Sequence, residues 1–403
     1  MKQRAAAAQS RICAVWGLRP VARGFFCQPM TIHAHLRLLL ASFVLPVLAT
    51  GETIRVGQYG AFTGKDADFG IAARKGVILA VEEANASGGV LGRKIELLLE
   101  DNQSKQGESA TIAKKFVARD KVVAVLGGNT SSNSLEAAPV YQHAKVPMIA
   151  ITSTNPRVTE IGDYIFRVCF IDPFQGAALA KFARATLKLQ RVAVLTSVNN
   201  AYSVGLSKVF RERFAAAGGT IVADQKHSEG DKDFRAQITA AKAAGAEAIL
   251  HSGNYTEGAL ICKQARELGF TGTLFGGDAW EGPDLVAIGG QAVEGVYYST
   301  HASAETPTPA MQAFVRRYQA RWNGETPNAT TTLGYEAGIL LFDAMCRAGT
   351  TDGAPLRDAL AATKDFPGVT GGITIDEKRN ASKPAMIIVV RHGQFKFVES
   401  VAP

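Results

Sequence analysis

VVAVLGGNTSSNSLEAAPVYQHAKVPMIAITSTNPRVTE, residues 122–160, holds two apolar runs, Val122–Leu126 and Val146–Ile151, each too short for a helix and each closing on a polar turn. Both runs read as strands buried on both faces, the pattern of a parallel sheet. The first turn carries Gly127, Gly128, Asn129, Thr130, Ser131 and Ser132 and runs into a helix; the second carries Thr152, Ser153, Thr154 and Asn155 before Pro156. In an open parallel sheet, ligands sit beyond the carboxyl ends of the strands, where helix N-termini offer unpaired N–H groups. Two hydroxyl-rich turns at neighbouring strand ends therefore suit a small anion such as a carboxylate. The same residue types also cap helices and shape turns, and from these residues alone both uses stand.

The alternation extends in both directions. Upstream, Thr53–Tyr59 reads as a strand, Phe69–Asn85 as a helix, Lys94–Asp101 as a strand and Gly107–Asp120 as a helix. Downstream, Tyr164–Val168 is one more strand, and Phe170-Ile-Asp-Pro173 breaks the register. The pattern then restarts: helix Phe174–Leu189, strand Arg191–Thr196, helix Tyr202–Ala217, strand Thr220–Lys226, helix Asp233–Ala244, strand Ala248–Ser252, helix Thr256–Leu268, and strands Thr273–Gly276 and Gly295–Ser299. Two consecutive βαβα halves imply two doubly wound lobes with a cleft between them. Helices at about Pro309–Trp322, Ala329–Ala348 and Pro355–Thr363 follow, then a strand near Ile373–Ile375 and a hairpin turning at His392-Gly393. The expected division is a leader over 1–50, a first lobe over 52–171 plus about 302–376, and a second over 173–300 plus about 377–403.

The chain is 403 residues long, with 47% apolar and 20% charged residues, which suits a globular protein with a large core. Its net charge of +8 comes mostly from residues 1–50, which hold six Lys or Arg and no acid. The remainder carries 38 basic against 36 acidic residues, so charge gives no support for nucleic-acid binding. Arg37 followed by LLLASFVLPVLA has the form of a signal peptide, with cleavage after Ala49 or Gly51 and Met30 as a start of ordinary length. The apolar run is too short to remain as a membrane span. Beyond it, Cys169, Cys262 and Cys346 lie far apart with no CxxC, which argues against a disulfide scaffold or a zinc site.

Enzyme signatures are missing. No GxGxxG follows a strand, Gly60-Ala-Phe-Thr-Gly64-Lys65-Asp66 lacks P-loop spacing and its Ser/Thr, and neither HExxH nor GxSxG occurs. The expectation is a binding protein with no cofactor and no metal. A second polar strand end, Phe275-Gly-Gly-Asp278-Ala-Trp280, places a carboxylate where it can face the hydroxyl cradle across the cleft. That pairing suits a zwitterion, although Asp278 also fits a helix N-cap before Pro283. Phe69, Tyr202, Tyr255 and Trp280 fall at loop–helix boundaries, where rings wall a cleft or join the core.

With these residues in view, the chain resembles the branched-chain amino-acid (Leu/Ile/Val) binding proteins of bacterial ABC importers, which have the type I periplasmic binding fold. The likeness rests on Gly60-Ala-Phe-Thr-Gly64 with Phe69-Gly70, AVEEANASGGVLGRKIELLLED, LGGNTSS, ITSTNP, Asp172 with Gln175-Gly176, SGNY and GGDAW. It implies an α/β fold of two Rossmann-like lobes joined by three crossings, closing like a flytrap. It implies that Ser131 binds the ligand's α-carboxylate, that Ser153 and Thr154 contact carboxylate and ammonium, and that Asp278 holds the ammonium. Phe69 is then placed against the ligand side chain, with Tyr202, Asn254 and Tyr255 on the second lobe's side. Asn254 stands where Tyr is common, which bears on ligand choice, and Thr130 replaces a Cys found in some members. The implied partners are an amino acid and the permease and ATPase subunits of an importer. The protein is then a periplasmic monomer. Two alternatives are the same fold binding amides, urea or aromatic carboxylates, and an exported hydrolase or dehydrogenase.

Overall fold

The computed structural model describes residues 52–402, so the signal-peptide reading lies outside the described residues. Fourteen strands are described: β1 (Ile54–Gly60), β2 (Ile95–Asp101), β3 (Ala124–Gly127), β4 (Met148–Ala150), β5 (Ile165–Arg167), β6 (Arg191–Ser197), β7 (Thr220–His227), β8 (Ala248–His251), β9 (Thr273–Gly276), β10 (Tyr297–Thr300), β11 (Phe366–Gly368), β12 (Gly371–Ile373), β13 (Ala385–Arg391) and β14 (Gln394–Val401). The first five form one wholly parallel sheet in the order β2-β1-β3-β4-β5. A seven-stranded sheet follows the order β14-β13-β10-β9-β8-β6-β7, parallel from β7 to β10 and closed by the antiparallel β13–β14 hairpin. The turn of that hairpin places His392 and Gly393 at positive φ, as a tight connection requires.

Burial on both faces explains why the opening runs are continuously apolar. Ala124 and Leu126 enter one core of the first lobe while Val125 enters another, and Ile149 parts in the same way from Met148 and Ala150. Successive side chains of a strand point to opposite faces, so a sheet covered twice needs no polar alternation. On one face, helix Ala67–Ala86 packs against helix Ala329–Ala348 at near backbone contact. A Cβ on Gly76 would stand 2.0 Å from Thr331 O, and one on Gly334 would stand 2.4 Å from Ala73 O.

Three differences from the sequence reading have local causes. The helix expected over Gly107–Asp120 is α-helical over Glu108–Lys115 and widens to a π-turn at Phe116–Asp120. The helix expected from Phe174 begins at Asp172, with Pro173 in its first turn, where a missing N–H costs nothing; it too ends in a π-turn, at Phe182–Thr186. The strand near Ile373 belongs to neither large sheet but pairs with β11 in a small hairpin.

The chain passes between lobes three times. Val168 and Cys169 pack in the first core and Phe170 in the second; Tyr298 packs in the second and Ala302 in the first; Ala381 packs in the first and Ala385 in the second. Near the third crossing, Lys383 forms an ion pair with Glu336, both almost fully buried, and its Nζ also donates to Thr370 Oγ1 at 2.8 Å. Among the described residues no helix is long and apolar enough to cross a membrane.

Candidate functional site

Each sheet reverses its winding once, and the cleft lies where the two reversals face each other. In the first lobe the reversal falls between β1 and β3, and in the second between β6 and β8. Loops diverge at the carboxyl ends of such strands and leave a crevice. A cavity between the lobes is lined by Phe69, Asn129, Thr130, Ser131, Thr152 and Thr330 from the first lobe. The second contributes Asn200, Tyr202, Asn254, Asp278, Ala279 and Glu281, and His301 lies at the second crossing.

The first-lobe wall is a turn held from behind. Gly128 has φ +78, and a Cβ there would strike Ser134 Oγ at 1.7 Å, so glycine lets the chain double back. Ser153 Oγ donates to the carbonyls of Gly128 and Thr130, each at 2.9 Å, and Thr152 Oγ1 donates to Asn129 O at 2.7 Å. The guanidinium of Arg167, wholly buried, donates to the carbonyls of Ser153, Asn155 and Pro156. Ser131 opens the helix Ser131–Ala144; its Oγ accepts from Asn155 N at 3.2 Å, which leaves the hydroxyl hydrogen for a ligand. That hydroxyl and the adjoining helix N-terminus make an anion cradle.

On the opposite wall, Asp278 begins a short 3₁₀ turn and caps no helix with its side chain. Its Oδ1 accepts from Gln175 Nε2 at 2.6 Å, and its Oδ2 lies 3.0 Å from His301 Nε2. His301 in turn packs against Phe170, ring centroids 3.8 Å apart and the rings tilted by 35°. Burial pushes the Tyr202 hydroxyl well up, with the Asp278 and Asp172 carboxylates adding to the effect.

Of the nine residues singled out in the sequence, Phe69, Ser131, Tyr202, Asn254 and Asp278 meet in the cavity wall. The other four stand elsewhere. Ser153 is turned away to brace the Gly128–Thr130 turn, and Thr154 is fully buried beside the Asp172 carboxyl. Trp280 is a core residue of the second lobe, its Nε1 donating to His251 Nδ1 at 3.2 Å. Tyr255 lies across the cleft mouth: its hydroxyl donates to Lys65 O at 2.8 Å and its ring meets Phe69 edge-on at 5.0 Å. Sequence reasoning did not single out Asn200, Glu281, His301 and Thr330. Asn200, directly before a helix, carried a cap signal, and its Oδ1 does accept from Ser203 N. His301 and Glu281 carried no signal, because their roles depend on contacts between distant segments.

The lobes are closed on each other. Asn254 Nδ2 donates to Asp66 Oδ1 at 2.9 Å and Lys65 Nζ lies 2.8 Å from Glu229 Oε2. Asn155 Nδ2 donates to Ala201 O at 2.7 Å, and Glu281 accepts the N–H groups of Ala329 and Thr330 at 3.1 and 3.3 Å. These contacts bury acids. Burial raises Asp66 and Glu281 to about 7 and, with Asp278 adding to it, Asp172 to about 8. A raised carboxyl means the folded state holds a proton that the unfolded chain has already released above its ordinary value. Stability therefore falls as pH rises from about 4–5 to about 8 and is level above that. Urea midpoints are expected to be lower at pH 8.5 than at pH 6, with Asp172→Asn removing part of the difference; a midpoint that rises over this range contradicts the burial of these acids.

Two lobes hinged by three chain crossings, closing over a cavity with a hydroxyl cradle on one wall and an acid on the other, define a solute-binding clamp. The family model described as periplasmic binding protein matches residues 53–394. The chain is 30% identical over 337 residues to Leu/Ile/Val-binding protein homolog 3 of Brucella melitensis, covering 83% of this chain and 90% of that protein. It superposes on the leucine-binding protein LivK of Thermotoga maritima with a TM-score of 0.83 at 38% identity, covering 87% of this chain and 99% of that one. For the branched-chain amino-acid substrate-binding protein LivJ of Streptococcus pneumoniae, solved with isoleucine, the TM-score is 0.82 at 33% identity, covering 87% and 100%. The chain belongs to the periplasmic binding protein family, among the branched-chain amino-acid substrate-binding proteins of ABC transporters.

Proposed function

We propose that the protein captures an α-amino acid between its lobes in the periplasm, after export by its leader, and presents it in the closed form to the permease of an ABC importer. The observation that carries this reading is the placing of Ser131 and Asp278 on opposite walls of one interlobe cavity. The first offers a donor for the α-carboxylate and the second an acceptor for the α-ammonium. Charge-assisted bonds contribute roughly 1.5–3 kcal/mol each. Four or five of them, less closure and ordering, reach the roughly −8 kcal/mol of a micromolar ligand. Binding needs no bond to be made or broken, in keeping with the missing catalytic motifs. Ligand contacts with both lobes bias a hinge equilibrium toward closure, and the closed form is what the permease reads. Leucine, isoleucine and valine come first in the screen, because relatives are named for them. Thermal-shift measurements against the twenty amino acids, on protein unfolded and refolded to strip bound ligand, test this. Stabilisation confined to amino acids is expected, and equal stabilisation by carboxylates without an amino group refutes it.

A further inference from the structure

The reading of this cavity as an amino-acid clamp leaves open what the ligand's side chain meets, and Asn129 answers that. Asn129 lines the cavity, is 6% exposed, and neither its amide nitrogen nor its amide oxygen has a hydrogen-bond partner. Its main chain is pinned, because its carbonyl accepts from Thr152 Oγ1 and its neighbours' carbonyls accept from Ser153 Oγ. The side chain is thus held at the wall with both polar atoms waiting. The other buried amides of the cleft have their nitrogens engaged: Asn155 donates to Ala201 O, Asn200 to Glu229 Oε1, Asn254 to Asp66 and Glu229, and Gln175, whose oxygen alone is open, to Asp278 and Ser299. The space for the amide is made by Gly60, where a Cβ would stand 2.6 Å from Asn129 Oδ1.

Buried polar groups are almost always paired, and one left open at a binding cavity asks for its partner from the ligand. An open N–H₂ donor and an open C=O acceptor on one plane are met together by a second carboxamide, through two N–H···O bonds. A hydrocarbon side chain meets neither. Much of the surrounding wall is polar as well, with Asn254, Glu281 and Thr330 against the apolar surface of Phe69, Tyr202 and Ala279. We infer that Asn129 is a specificity residue and that the clamp prefers an α-amino acid with a side-chain carboxamide over one with a hydrocarbon side chain of the same shape. This rests on the amino-acid reading of the site and sets the side chain within it. Sites built to hydrogen-bond a ligand group reject the analogue that lacks it, because their own polar groups are then buried unpaired.

Asparagine and leucine are near-isosteric, so their ratio of affinities isolates this term. Calorimetric titration of stripped protein with asparagine, glutamine, leucine and alanine is expected to show the better carboxamide binding at least about tenfold tighter than leucine. Asn129→Leu is expected to erase or invert that ratio, with its melting midpoint showing that it is folded; Asn129→Ala, which removes both the donor and the acceptor, gives the same direction. Leucine binding as tightly as asparagine and glutamine in the wild type, with alanine also bound, overturns the inference and leaves the clamp intact. A ratio unmoved in both variants overturns it equally. Folded protein that binds none of the four, alanine included, overturns both, since alanine presents only the main-chain groups that Ser131 and Asp278 address.

Discussion

Asp278→Asn is expected to weaken amino-acid binding by about two orders of magnitude while the lobes stay folded. The carboxylate faces the cavity from the end of β9 with one oxygen taken by Gln175 and the other near His301. An asparagine keeps that shape: its oxygen still accepts from Gln175 and its nitrogen can face the imidazole. What it loses is the negative charge that an ammonium requires. A hundredfold loss corresponds to about 2.7 kcal/mol, within the range of one buried charge-assisted hydrogen bond. The ligand-free melting midpoint is expected to hold or rise, since the substitution removes a charge from a buried site. Titration calorimetry on both proteins decides the matter, and an unchanged affinity removes Asp278 from the site.

The second large effect concerns the hinge. Lys383→Ala is expected to destabilise the protein by about 3–5 kcal/mol, read from urea midpoints at neutral pH. Glu336 is fully buried in the helix Ala329–Ala348 and Lys383 is 3% exposed, so removing the ammonium strands a carboxylate that water cannot reach. Thr370, whose N–H and hydroxyl already donate to Glu336, cannot replace it. Glu336→Gln with Lys383→Met is expected to recover most of the loss, because uncharged groups of similar shape avoid the desolvation cost. Failure of the double variant to recover would place the loss in the packing of the crossing rather than in the charge.

Much of the architecture was legible because parallel strands and their helices are local patterns. The run Val122–Leu126 could only be a strand covered on both faces, and the hydroxyls after it could only cap the next helix or meet a ligand. Thr130 caps the helix, its hydroxyl accepting from Asn133 N, and Ser131, one residue on, keeps its hydroxyl hydrogen free. Ser153 shows the limit. Its hydroxyl type was read correctly, but which way it points is set by the carbonyls of Gly128 and Thr130 in a different turn. Trp280 was equally ambiguous as wall or core until the 3₁₀ turn at Asp278–Trp280 sent it inward toward His251. The π-turns at Phe116–Asp120 and Phe182–Thr186 left no trace, since their residues are ordinary helix formers. The helix onset at Asp172 was missed because Pro173 read as a breaker, though proline favours a first turn.

The inward seat of Trp280 has an optical consequence. Its indole sits in the second lobe, one residue along from the cavity wall at Ala279, and donates to His251. The only other tryptophan among the described residues, Trp322, lies on the first lobe against Arg321 and Lys75. The described residues therefore carry one indole attached to the loop that lines the cavity and one outside that lining. With Trp322 replaced by phenylalanine, the emission of the remaining indole becomes an unlabelled readout of occupancy, which makes this clamp a ready scaffold for an amino-acid sensor.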